Sequence, residues 1–305
     1  MIECGKGGDF VLRSGGRGCY NGGGFGKTRR LLKKAARKGS FADMIQFHCY
    51  PGGKKRVVTF SYDDGHKNDE RLVALFNCYG VRGTFHINGA DFSEARKAEL
   101  RRLYAGHEIS CHTVCHGWLD KMPAASLVSE IMDNRRALEE AAGYPVVGMS
   151  YPSGAYSAEA ENALRACGIL YSRTTKSTMK FGLPEDFLAW HPTCHHKDAL
   201  PLAEQFMRTL DSEWTQPLFY IWGHAHEMRS ESDWEYMEKL VSTLGGSDKI
   251  WYATNIEIYD YLSAVRGLRV SADESLIHNP AHMDVWVEKD KRKIIRVPAG
   301  ETIRL

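Results

Sequence analysis

The chain has 305 residues, 43% hydrophobic and 26% charged, with a net charge of +2. That is the composition of an ordinary globular protein, and it makes no case for a whole-chain nucleic-acid or membrane binder. No run of 18 apolar residues suggests a membrane-spanning helix, and eight cysteines are too dilute for a disulfide scaffold.

The charge is unevenly spread. Residues 1–43 hold ten Lys/Arg against three Asp/Glu and eleven of the 29 glycines, whereas residues 44–305 carry a net charge of about −5. Such a stretch cannot bury enough apolar surface to offset its ordering entropy, so it reads as a disordered basic tail with one short helix over 28–37. Met44 is an alternative start, in which case the tail belongs to the gene model alone. The N-terminus lacks the apolar core of a signal peptide, so the chain as written reads as cytoplasmic, with its cysteines as free thiols or small core residues.

From residue 56 onward, strands and helices alternate. Strands are expected at 56–60, 84–87, 107–110, 146–149, 169–171, 218–222 and 250–254. Helices are expected at 72–79, 93–104 with Ser93 as N-cap, 125–142, 157–167, 198–210 and 232–244. This order implies parallel βαβ units and a (β/α) barrel over 44–266, complete or distorted. Short strands at 284–288, 293–297 and 302–305, without helices between them, suggest a small β appendage over 267–305 packed on the barrel.

Three strand ends carry chemistry. Thr59 to Gly65 closes a buried strand with the adjacent carboxylates Asp63 and Asp64, which repel unless a cation or proton intervenes. A plain Asp-Asp-Gly turn is the alternative. Next comes Ser110 to Gly117, where His112 and His116, four apart, can share one face of a helical turn and one metal. Cys111 and Cys115 lack zinc-finger and haem spacing and read as packing residues. Finally, Tyr220 to Glu227 ends a strand in His224, with Gly223 leaving room for a substrate and His226 pointing elsewhere if the segment stays extended. One Asp and two His make a three-ligand set with open positions, which suits a catalytic metal and frees the other Asp as a base.

The order of these segments resembles the polysaccharide deacetylases, also called carbohydrate esterase family 4 or NodB-homology domains. Thr59 to Gly65 is similar to the family's Thr-Phe-Asp-Asp-Gly motif with two residues inserted. His112-Thr113-Val114-Cys115-His116 fits its His-Ser/Thr-x-x-His motif, Tyr151-Pro152-Ser153-Gly154 its Pro-aromatic-Gly segment, and His224 its last, strand-end histidine. The resemblance implies a hydrolase of carbon–nitrogen bonds other than peptide bonds, removing N-acetyl groups from carbohydrate. It assigns Asp63 as base, His224 as acid, and Asp64, His112 and His116 as ligands of one divalent ion, zinc first, cobalt or nickel otherwise. Tyr151, Pro152, Ser153 and Trp222 would face the substrate, with a backbone N–H near Ser153 on the oxyanion.

There are departures. The arginine that tunes the base should precede the proline motif, where Ser150 stands instead. The family's Asp-Trp motif has no clear counterpart, and Arg173 or the segment His191-Pro192-Thr193-Cys194-His195-His196 falls in its region. These keep open a cyclic amide or O-acetyl substrate, or a non-catalytic metal- or glycan-binding protein. Residues 22–28 imitate a phosphate-binding loop without the preceding strand, and the basic run 28–38 reads as a solvated tail, not a nucleic-acid contact. His191, His195 and His196 read as cleft or core residues ahead of a second metal site.

Overall fold

The computed structural model describes residues 44–208, 216–290 and 293–305. The expected tail and its short helix, and the end of the helix expected at 198–210, lie outside them. In chain order the strands and helices are β1 (Ile45–Gln46), β2 (Arg56–Asp63), α1 (Asp69–Cys78), β3 (Gly83–Ile87), α2 (Glu94–Leu103), β4 (Glu108–Cys111), α3 (Ala124–Ala142), β5 (Gly148–Ser150), α4 (Ala158–Ala166), β6 (Tyr171–Arg173), β7 (Cys194–His195), α5 (Ala199–Arg208), β8 (Leu218–His224), α6 (Glu231–Leu244), β9 (Ile250–Tyr252), α7 (Asn255–Arg266), β10 (Arg269–Val270), β11 (Leu276–His278), β12 (Val285–Lys289), β13 (Lys293–Val297) and β14 (Thr302–Arg304).

The central sheet is parallel throughout, in the order β6-β5-β4-β3-β2-β8-β7, with β9 pairing the start of β2. The segment between β6 and β7 bends the sheet toward closure. The Thr174 N–H donates to the Trp190 carbonyl and the Thr193 N–H to that of Tyr220, so the two edges are joined through residues 190–193. The result is a distorted (β/α) barrel, as the alternation of elements requires.

β2 is its spine, with all eight residues buried. Its period of two sorts them. Val58, Phe60 and Tyr62 pack into the main core under the helices, with Phe76 of α1 and Phe85 of β3. Thr59, Ser61 and Asp63 take the other side, where Thr59 donates to Asn255 and Ser61 meets His86. No bulge interrupts the ladders from β2 to β3 and β8, so the two extra residues of the first motif extend the strand instead of looping out of it.

Local signals account for the helix ends. Ser93 and Ser157 accept from the third residue of their helices, and Gly143 closes α3 in the left-handed conformation. Helix α7 is an addition to the elements expected from the sequence, and Thr254 and Glu257 form a capping box at its start. The strand expected at 169–171 lies two residues later, which brings Arg173 to a strand end.

Beyond α7, two three-stranded antiparallel sheets form, β1-β12-β13 and β10-β11-β14. The first recruits β1 from the opposite end of the described chain. Among the described residues no helix is long and apolar enough to cross a membrane, and the six described cysteines are free thiols. Cys111 is buried in the core, but Cys115 is exposed and does not pack as expected.

Candidate active site

The C-terminal ends of β2, β4, β5, β6, β7 and β8 deliver Asp63, His112, Ser150, Arg173, His195 and His224 to one edge of the sheet, where parallel α/β folds build sites. Register does part of the positioning, since Asp63 is paired with His86 on one side and with His224 on the other.

The adjacent carboxylates have opposite surroundings. Asp63 is buried and its oxygens are satisfied, one by the Ser150 hydroxyl at 3.0 Å and the other by the guanidinium of Arg173. Burial alone would raise its pKa. The Arg173 charge, helped by His112, overrides that and holds the carboxyl well below the usual range. Asp64 turns away in a left-handed backbone, with φ +76°. Its Oδ1 is buried without a hydrogen-bond partner, 3.6 Å from His112 Nε2 and 3.7 Å from His116 Nε2. His112 Nε2 is equally unpartnered, because Nδ1 faces the Ser150 carbonyl at 2.9 Å. With Nδ1 as the donor there, the Nε2 lone pair is presented to Asp64. The three ligand atoms lie within 4.8 Å of one another, and their separations suit a small tetrahedral ion with bonds of about 2.0–2.2 Å. Two orphaned buried atoms and this donor set therefore fit a divalent cation.

His112 and His116 do not share a helical turn as expected. Thr113 and His116 both have positive φ, at 64° and 53°, and the loop turns His116 back toward Asp64. With Asp64 and Ser153, four of the seven described non-glycine residues with positive φ lie in this region, and such strain persists only where the surroundings enforce it.

The opposite wall belongs to His224. Its Nδ1 is 2.8 Å from Glu227 Oε1, and its Nε2 faces Asp63 Oδ2 at 3.9 Å. Burial would lower its pKa, but the Glu227 hydrogen bond and the Asp63 charge together raise it. Glu227 is shared with His195 at 3.3 Å and with the ammonium of Lys197. His226, expected to point away, returns because the chain coils into a 3-10 turn over Ala225–Glu227; its Nδ1 lies 3.7 Å from Asp64 Oδ2.

Other expectations need correction. Gly223 makes room for protein, not substrate, since a Cβ there would collide with the His196 ring. Tyr151 is buried and donates to the Leu188 carbonyl, so its side chain belongs to the core, and Pro152 is buried beside it. Only Ser153 of that segment is exposed, with φ 55°. Trp222 is buried against the Arg173 guanidinium, 4.5 Å from the ring centroid, and supports Arg173 instead of lining a sugar site. His191 contacts Thr174 and stands apart from His195 and His196, which meet at Glu227. The Lys197 ammonium on that carboxylate opposes a cation there.

The sequence names Ser150 as standing in place of the base-tuning arginine and Arg173 as falling in the region of the Asp-Trp motif, but pairs neither with Asp63; Glu227 it does not single out, although it lies three residues after a strand-end histidine.

The fold is a distorted parallel α/β barrel with a cluster able to hold a cation at its strand ends. Residues 51–172 match the family model described as polysaccharide deacetylase. Among solved structures, a Mycobacterium smegmatis protein described as a polysaccharide deacetylase is 18% identical, with 71% of this chain and 93% of that chain covered at a TM-score of 0.55. More distant are the chitin deacetylase of Colletotrichum lindemuthianum, at 19% identity, 70% and 89% coverage and TM-score 0.47, and a family 4 acetyl xylan esterase of Clostridium thermocellum with cobalt, at 17%, 67% and 90%, and 0.47. The first of these likenesses speaks to the fold.

Proposed function

We propose that the protein removes an acetyl group from the nitrogen of an N-acetylated sugar in a carbohydrate. Asp64, His112 and His116 hold one divalent cation, zinc first by its donor set, with cobalt or nickel able to serve. The observation that carries this reading is the contrast between Asp63, fully satisfied by Arg173 and Ser150, and Asp64, whose buried Oδ1 faces two imidazole nitrogens unpartnered. One carboxylate is kept ionised as a base, and the other is kept free for a ligand.

A bound cation would polarise the acetyl carbonyl and acidify water. Asp63 takes the water proton and stays ionised for that purpose beside Arg173. His224, its Nδ1 held by Glu227, carries a proton on Nε2 toward the barrel mouth and delivers it to the departing nitrogen. The left-handed turn at Ser153 offers its backbone N–H to the developing oxyanion. The case for a non-catalytic binding protein rested on the missing arginine, and Arg173 fills that function from β6.

Acetate release from N-acetylated chitooligosaccharides by purified protein tests the reading. Release should occur with added zinc and stop with chelator. No release under any of zinc, cobalt or nickel would overturn it.

A further inference from the structure

Trp118 stands two residues beyond His116, on the loop leaving β4. It is the most exposed aromatic side chain among the described residues, at 52%. A tryptophan ring left in water forgoes a large apolar burial. The loop nevertheless pins it there. Leu119 is buried, the Lys121 N–H donates to the Trp118 carbonyl at 3.1 Å, and a Cβ at Gly117 would collide with the Met122 methyl. Backbone on both sides is thus fixed while the ring stays out. The Lys121 ammonium sits 3.8 Å from the ring centroid and covers one face. On β5, the neighbour of β4, the following loop holds a second exposed aromatic, Tyr156, at 36%, its ring 5.3 Å from that of Tyr151. These two loops leave from the strand ends that carry His112 and Ser150.

Resting on the deacetylase reading above, we propose that Trp118 is a stacking platform for a sugar ring adjacent to the one that loses its acetyl group. The substrate is then an oligo- or polysaccharide chain. A pyranose presents an apolar C–H face and keeps its hydroxyls at the rim, which suits a rigidly held aromatic with one face in water. A small cyclic amide has no second ring to offer.

The test compares N-acetylated chitotetraose with N-acetylglucosamine in wild type, Trp118→Ala and Trp118→Phe. Trp118→Ala should lower the tetrasaccharide-to-monosaccharide ratio of kcat/KM by roughly 3–10-fold, the worth of one aromatic contact, through KM. Trp118→Phe should recover most of it. An unchanged ratio overturns the platform. Calorimetric binding of N-acetylated chitotetraose to Asp63→Asn protein, with and without Trp118→Ala, separates stacking from chemistry. Weaker binding in the double variant supports the platform even if wild type releases no acetate, an outcome that sinks only the deacetylase reading. Equal affinity, or no binding by either, overturns the platform.

Discussion

Asp63 and Arg173 lie 110 residues apart in the chain and form a buried ion pair at the centre of the site. The arginine comes from β6, not from the position two residues before Pro152, where Ser150 takes a smaller share by donating to the other carboxylate oxygen. Breaking such a pair leaves an uncompensated buried charge, which costs about 3–5 kcal/mol. Arg173→Met should therefore destabilise the fold in urea titrations and lower turnover, with Arg173→Lys partly restoring both. The pH dependence has a sign. Asp63 has a depressed native pKa, so its contribution to stability is present above the unfolded aspartate pKa, about 3.9, and is lost as pH falls toward the native value. The gap between wild type and Arg173→Met should be widest near neutrality and narrow below about pH 4. A gap independent of pH would mean that Arg173 acts only by packing on Trp222.

The ligand set predicts a separation of metal content from catalysis. His112→Ala removes one of three donors and should abolish stoichiometric metal by elemental analysis. Asp63→Asn leaves all three donors and should keep the metal while the rate falls by about 10²–10⁴. Unchanged metal in His112→Ala would overturn the assignment of Asp64, His112 and His116 as its ligands.

What the sequence disclosed follows from where information sits in a parallel barrel. Asp63, His112 and His224 end strands that alternate with helices, so their common edge is legible in the sequence. Arg173 stands out in the sequence only as falling in the region of the Asp-Trp motif; its pairing with Asp63 depends on how β6 curls toward β2, a tertiary relation. Tyr151 is set at the substrate by its place in the Pro-aromatic-Gly counterpart, whereas along the strand it alternates with Ser150 and so turns to the core. His226 and Glu227 were placed by the 3-10 turn after His224, which an extended continuation would have spread apart.

Residues 1–43, rich in glycine and positive charge, are expected to be dispensable. Protein beginning at Met44 should keep the melting temperature and turnover of the full chain. A lower melting temperature would show that those residues stabilise the fold.

His224 and Glu227 predict a leaving-group dependence. Glu227 raises the pKa of His224 through its hydrogen bond, so an acid titrating with that pKa sets the alkaline limb of the pH–rate profile. Glu227→Gln keeps the shape but removes the charge, so the alkaline limb should move to lower pH. Lys197 and His195, which share that carboxylate, should then be left without their anionic partner. Loss of a residue that orients a catalytic group costs about 10–100-fold, so neutral-pH turnover of an N-acetyl substrate should fall within that range. His224→Ala should cost more on amides than on activated acetyl esters, because a good leaving group departs without a proton. Equal losses on both substrates would assign His224 to binding or structure, and His226, 3.7 Å from Asp64, would become the acid to test.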